Sequence, residues 1–129
     1  MWLRIHAYFL LTMGSLASLN DLASYFFARG PFGASLYQQP LAIGPFEAHV
    51  LAAILGLVLL RHADSRDPWW NAIAGTIALS LGTANLVWFD AFALIGSITF
   101  GVVITTIHFV FVIGQLWAWS QQRVILRAA

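Results

Sequence analysis

Residues 94–119 read LIGSITFGVVITTIHFVFVIGQLWAW and contain no charged side chain. An α-helix crosses the hydrocarbon core of a bilayer when it has about 20 predominantly apolar residues. This segment is long enough, and its polar residues are isolated from one another. The sequence therefore predicts a transmembrane helix over residues 94–119.

Three further apolar runs precede this segment, at residues 2–27, 43–60 and 69–89. The connections carry strong turn signals: Gly30 and Pro31 interrupt the pattern after the first run, and Asp67 and Pro68 suit the N-cap and first position of a helix. The connection between the third and fourth runs is so short that these two helices must be antiparallel neighbours. The pattern predicts an all-α polytopic membrane protein, a single domain built as an up-down bundle of four transmembrane helices.

The composition agrees with a chain embedded in lipid. Hydrophobic residues make up 60% of the sequence and charged residues only 9%, whereas a soluble domain has about 25% charged residues. The net charge of +1 provides no basic field for nucleic acid. The absence of cysteine excludes disulfides, thiol catalysis, cysteine-ligated zinc and iron–sulfur clusters, and we predict no metal site.

The arginines predict the orientation. Only Arg29 lies in the first connection, and the other five lie at the termini or in the middle connection, namely Arg4, Arg61, Arg66, Arg123 and Arg127. The positive-inside rule then places both termini in the cytoplasm. The use of arginine without lysine suggests a GC-rich bacterial genome, so we predict the bacterial cytoplasmic (inner) membrane and membrane lipids as partners. The first run contains Asp21 and lacks a clear cleavage site, which favours a retained span over a signal peptide.

Ionisable groups within a membrane are costly and are candidate functional residues. Five polar residues lie at similar depth near the predicted outer ends of the helices, and one of them, Asp90, suits the cap of the fourth helix. The other four are Asp21, Glu47, His49 and Asn85. We predict that they bind a ligand, and that Asp21, Glu47 and His49 meet in an outward-facing polar pocket covered by the loop 29–40.

Each of these residues also has a purely structural interpretation. Glu47 is placed to cap the free backbone N–H groups at the start of the second span. Asp21 is within reach of headgroup water or of Arg29, and Asn85 suits a hydrogen bond between helices. Because Glu47 and His49 are two residues apart, they point to different faces of a helix.

His108 lies near the middle of the fourth span, where its imidazole needs a polar partner. Thr105, Gln115 and Asn85 are candidates for a structural hydrogen bond. The functional alternatives are a proton relay, a haem ligand or a pigment ligand, and haem or pigment is the one cofactor class the sequence suggests. His49 and His108 differ in depth by roughly 10 Å, which disfavours one haem held by both. We expect His6, near the inner interface, to be solvated.

Three functions remain open from the sequence. Phosphate loops, nucleophile elbows and His-Glu-x-x-His motifs are missing, so the sequence favours a non-catalytic role. The first hypothesis is an accessory or scaffold subunit of a larger membrane complex, which contacts other transmembrane subunits or copies of itself through small-residue stripes. The alternative is a binder or transporter of a small hydrophobic or cationic molecule. A further alternative is a membrane enzyme that acts on a lipid-soluble substrate.

Overall fold

The structure is a computed structural model that describes the backbone of residues 1–128 and the side chains of residues 1–125. Within these residues every regular element is a helix and no strand occurs, so the predicted all-α class is confirmed. The side chain of Arg127, counted in the orientation argument, lies outside the described part. The elements are α1 (Trp2–Phe27), α2 (Gly33–Leu36), a 3₁₀ helix (Pro40–Ala42), α3 (Ile43–Arg61), α4 (Trp69–Val87), α5 (Asp90–Leu94) and α6 (Ile98–Ala128).

Two helical segments among the described residues are long and apolar enough to cross a membrane. They are Pro40–Arg61 and Ile98–Ile125, which overlap the second and fourth predicted spans. Helices α1 and α4 also form where spans were predicted, but polar residues such as Asp21 and Asn71 lower their apolar character. The structure thus confirms helices at the four apolar runs and gives two candidate spans, and the four-span arrangement stays a prediction.

The fourth apolar run does not form one uninterrupted helix. Gly96 has a φ of 68°, in the left-handed region that favours glycine. The Ser97 N–H donates to the carbonyl of Phe92 at 2.7 Å, and the Gly96 N–H donates to that of Ala93 at 3.0 Å. These bonds close the end of α5 in the manner of a glycine C-cap. Helix α6 therefore begins at Ile98 rather than at residue 94.

The chain divides into two compact units. The α1–α3 unit comprises Ala7–Arg61, and the α4–α6 unit comprises Met1–His6 with His62–Ala129. In the α1–α3 unit, the backbones of α1 and α3 approach closely at two glycines. A Cβ atom added to Gly14 would lie 2.6 Å from the Ala53 nitrogen, and one added to Gly56 would lie 2.5 Å from the Leu11 nitrogen. Such close contact is how small residues join helices in lipid.

In the α4–α6 unit, α4 packs against α6. The contacting face of α4 carries small residues, with Gly75, Ala78 and Gly82 all buried. A Cβ atom at Gly82 would lie 3.3 Å from the Cβ of His108. The absence of a side chain there lets His108 pack directly against α4.

Candidate functional site

Asp21 of α1 and His49 of α3 form a direct side-chain pair. The His49 Nδ1 lies 2.6 Å from the Asp21 Oδ2. Because a carboxylate is the acceptor, we assign the proton to Nδ1, which donates the hydrogen bond. Asp21 is only 2% exposed, whereas the His49 side chain is 37% exposed. The structure thus brings together two of the three residues predicted to share a pocket.

Helix geometry explains why these two residues meet. Asp21 follows Gly14 by seven residues, and His49 precedes Ala53 by four residues, so each lies on the same helix face as its contact residue. The close approach of Gly14 to Ala53 therefore also brings the faces that carry Asp21 and His49 together. The pair is a consequence of this glycine contact between α1 and α3.

Glu47 and Asn85 lie apart from the pair. Glu47 is exposed, and its side chain makes no hydrogen bond or ion pair with any described residue, so it neither caps α3 nor joins Asp21. Its separation from His49 by two residues places it on another face of α3. Asn85 is half-buried in the α4–α6 unit, and its amide makes no hydrogen bond within the described residues.

Asp21 lines a cavity of about 340 Å³ in the α1–α3 unit. The walls are mainly apolar, and they include three aromatic rings and only two polar residues. The lining residues are Asp21, Leu22, Tyr25, Phe26, Gln39, Pro40, Ala42, Ile43 and Phe46. Neither Glu47 nor His49 is among them. Two of the lining residues, Gln39 and Pro40, belong to the segment 29–40 that precedes α3.

The second oxygen of the Asp21 carboxylate, Oδ1, is buried and accepts no hydrogen bond from any described residue. Burying a polar atom without a partner costs free energy, more so when the group is charged. With a neutral imidazole the Asp21–His49 pair carries one net negative charge, and with a protonated imidazole it carries none. The carboxylate can therefore receive an N–H donor or a cationic group. Protein atoms cover Oδ1, so a lining side chain must move for a ligand to reach it.

A second polar cluster lies in the α4–α6 unit, around His6. The prediction that His6 is solvated is wrong, since the residue is 0% exposed. Its ring stacks on Phe111 with the centroids 4.2 Å apart, and the Gln115 Nε2 lies 3.5 Å from its Nδ1. His108, Phe111 and Gln115 are spaced by three and four residues and share one face of α6. That face receives the first turn of α1 and removes His6 from solvent.

His108 is also buried, at 6% exposure. Gln115, one of its proposed partners, instead contacts His6. The roles of His108 as a haem ligand, pigment ligand or proton relay stay predictions.

Sequence reasoning missed Tyr25, Phe26 and Phe46 as cavity residues, because aromatic residues are common throughout this chain and carry no distinguishing pattern. Spacing offered one signal, since Tyr25 follows Asp21 by four residues and Leu22 by three on α1.

Compared with known proteins, the chain matches no protein-family model, no curated protein and no solved structure.

Proposed function

We propose that this chain is a four-span membrane protein that binds a small amphipathic molecule, with a cationic or N–H donor group, in the Asp21 cavity. One observation carries the proposal: a buried carboxylate with one oxygen held by His49 and the other unpaired lines a mainly apolar cavity. A ligand that donates to Asp21 removes the cost of the unpaired oxygen.

The size and walls of the cavity support a small molecule of this type. A volume of about 340 Å³ falls within the range of about 300–1,000 Å³ of small-molecule sites. The apolar side chains suit a hydrophobic body, and the lining includes three aromatic residues, Tyr25, Phe26 and Phe46, a residue type that attracts cations electrostatically. The negative charge of the Asp21 carboxylate then attracts the cationic group, and the hydrogen bond that the carboxylate accepts orients the ligand.

Membrane placement is part of the proposal, with both termini cytoplasmic and the cavity near the outer ends of α1 and α3. The arginine distribution and the two apolar segments support it. Large apolar side chains are also exposed along both helices, for example Leu16, Leu19, Leu51 and Leu57, each more than half exposed. A water-soluble surface rarely presents apolar residues in such number, whereas lipid covers them at no cost.

The other two functions rank lower on physical grounds. An accessory subunit requires no ligand site and leaves the burial of the Asp21 oxygen without a compensating contact. The Asp21–His49 pair has the form of an acid–base dyad, in which Nε2 is the base. However, His49 does not line the cavity, so a molecule held there does not meet that nitrogen.

The test is calorimetric titration of the purified protein in detergent with phenethylamine, which is protonated at neutral pH. We expect the native protein to bind it and Asp21→Asn to bind at least about tenfold more weakly, because a hydrogen bond to a charged group contributes about 1.5–3 kcal/mol. Glu47→Gln is the matched control, since it removes one exposed carboxylate from the same unit. It should leave the affinity unchanged. Equal losses in both variants would indicate non-specific attraction and contradict the proposal, as would full affinity in Asp21→Asn.

A further inference from the structure

A separate cavity lies where α4 begins and α6 nears its end, within the α4–α6 unit. Its volume is about 440 Å³, and its lining residues are Asp67, Pro68, Trp69, Trp119 and Arg123. Two charges of opposite sign and two tryptophans thus border one space. None of these residues belongs to the Asp21 site.

The two charges in this cavity are not paired with each other. Within the described residues the ion pairs are Arg4–Asp64 and His49–Asp21, which leaves Asp67 and Arg123 more than 4.0 Å apart at their charged atoms. The Asp67 Oδ1 accepts the backbone N–H of Trp69, the first residue of α4, at 2.9 Å. Its second oxygen is available to a further donor.

Arg123 is held in place by an aromatic ring. Its guanidinium lies over Trp119, 4.7 Å from the ring centroid. A guanidinium stacked in this way keeps its N–H groups at the edge free, and these match the oxygens of a phosphate. The cavity therefore offers a phosphate donor set on one side and a carboxylate acceptor on the other.

The place of the cavity in the proposed topology is the inner membrane interface. Tryptophan is enriched there because its ring is apolar and its N–H is polar, and the lipid headgroups lie at the same level. Trp69 is 65% exposed, so it can contact the glycerol region of a neighbouring lipid.

We propose that this cavity binds the headgroup of a phosphatidylethanolamine molecule. Arg123 receives the phosphate, and Asp67 accepts a hydrogen bond from the ammonium group, so one zwitterion bridges the two separated charges. A phosphatidylglycerol headgroup has no cation for Asp67 to attract. A choline headgroup has no N–H to donate to it. The proposal rests on the membrane placement but not on a ligand in the Asp21 cavity.

The experiment is native mass spectrometry of the full chain released from nanodiscs that contain equal amounts of phosphatidylethanolamine and phosphatidylglycerol. We expect the native protein to retain the ethanolamine lipid preferentially. Asp67→Asn keeps a side-chain oxygen for the Trp69 N–H and loses the charge, so it should lower this preference by about two- to fivefold, the effect of one exposed charge pair. Arg123→Gln should reduce the retention of both lipids.

Matched controls lie in the same loop. Asp64→Asn and Arg66→Gln make the same changes in charge at exposed residues that do not line the cavity. Both should keep the native preference and retention. Circular dichroism checks that each variant is folded. The proposal is overturned if Asp67→Asn retains the native preference, or if Asp64→Asn shifts it equally.

Discussion

Replacement of Gly14 by alanine tests the contact that forms the Asp21–His49 pair. The added Cβ would lie 2.6 Å from both the Ala53 nitrogen and the His49 carbonyl oxygen. That is about 0.8 Å short of an ordinary van der Waals contact. Both opposing atoms belong to the backbone of α3, so no side-chain rotation relieves the clash. The helices must separate, and His49 must move with its own carbonyl.

The expected cost follows from two opposing contributions. Overpacking of a tight contact costs about 1–3 kcal/mol, and the replacement of glycine by alanine within a helix returns about 1 kcal/mol. Because the clash is with backbone, we place the overpacking cost at the upper end. The free energy of unfolding should therefore fall by about 1–2 kcal/mol.

Gly44→Ala is the matched control, because it makes the same chemical change in α3. A Cβ at Gly44 meets no atom within 4 Å. The helix propensity of alanine favours this variant, and Pro45 restricts a preceding Cβ, so its stability should stay within about 1 kcal/mol of that of the native protein.

The assay is unfolding in mixed detergent and SDS, followed by far-UV circular dichroism. Tryptophan fluorescence is unsuitable, since all six tryptophans belong to the α4–α6 unit. Nitrogen-15 NMR of the His49 ring provides a second readout, because separation of the helices lengthens its bond to Asp21. If Gly14→Ala is as stable as Gly44→Ala and the His49 signals do not shift, the glycine contact does not form the site.

Two further predictions address the rest of the chain. The buried Asn71 donates to the Gln122 side chain at 2.7 Å, so a double-mutant cycle with Asn71→Leu and Gln122→Leu should give a coupling of about 0.6–1.7 kcal/mol by tryptophan fluorescence. Strictly additive losses would show that this bond contributes nothing. Because the chain has no cysteine, a single introduced cysteine is the only residue that a maleimide labels, and its labelling reports the side of the membrane on which it lies. A membrane-impermeant maleimide should label Ser35→Cys in intact cells but Ser65→Cys only in broken ones. Labelling of both in intact cells would contradict the proposed orientation.

The sequence by itself determined the all-α class and the approximate place of the long helices. Those properties depend on local causes: apolar runs of sufficient length, bounded by Gly, Pro and capping residues such as Asp67. It also identified Asp21 and His49 as costly residues in an apolar context, which depends only on residue type. The start of α6 at Ile98 was not predictable, because a glycine within an apolar run is compatible with a continuous helix. Only the structure shows that Gly96 has a positive φ and interrupts the helix.

Only the tertiary structure decided which polar residues meet. Asp21 and His49 are 28 residues apart, and their contact depends on the rotation of α1 and α3 about their axes, which the backbone contact at Gly14 sets. The same rotation leaves Glu47 exposed, although Glu47 lies only two residues before His49 in α3. His6 is buried for a similar reason, because a face of α6 more than 100 residues away covers it. Composition and periodicity describe one helix at a time, whereas the pairing of faces is a property of two helices packed together.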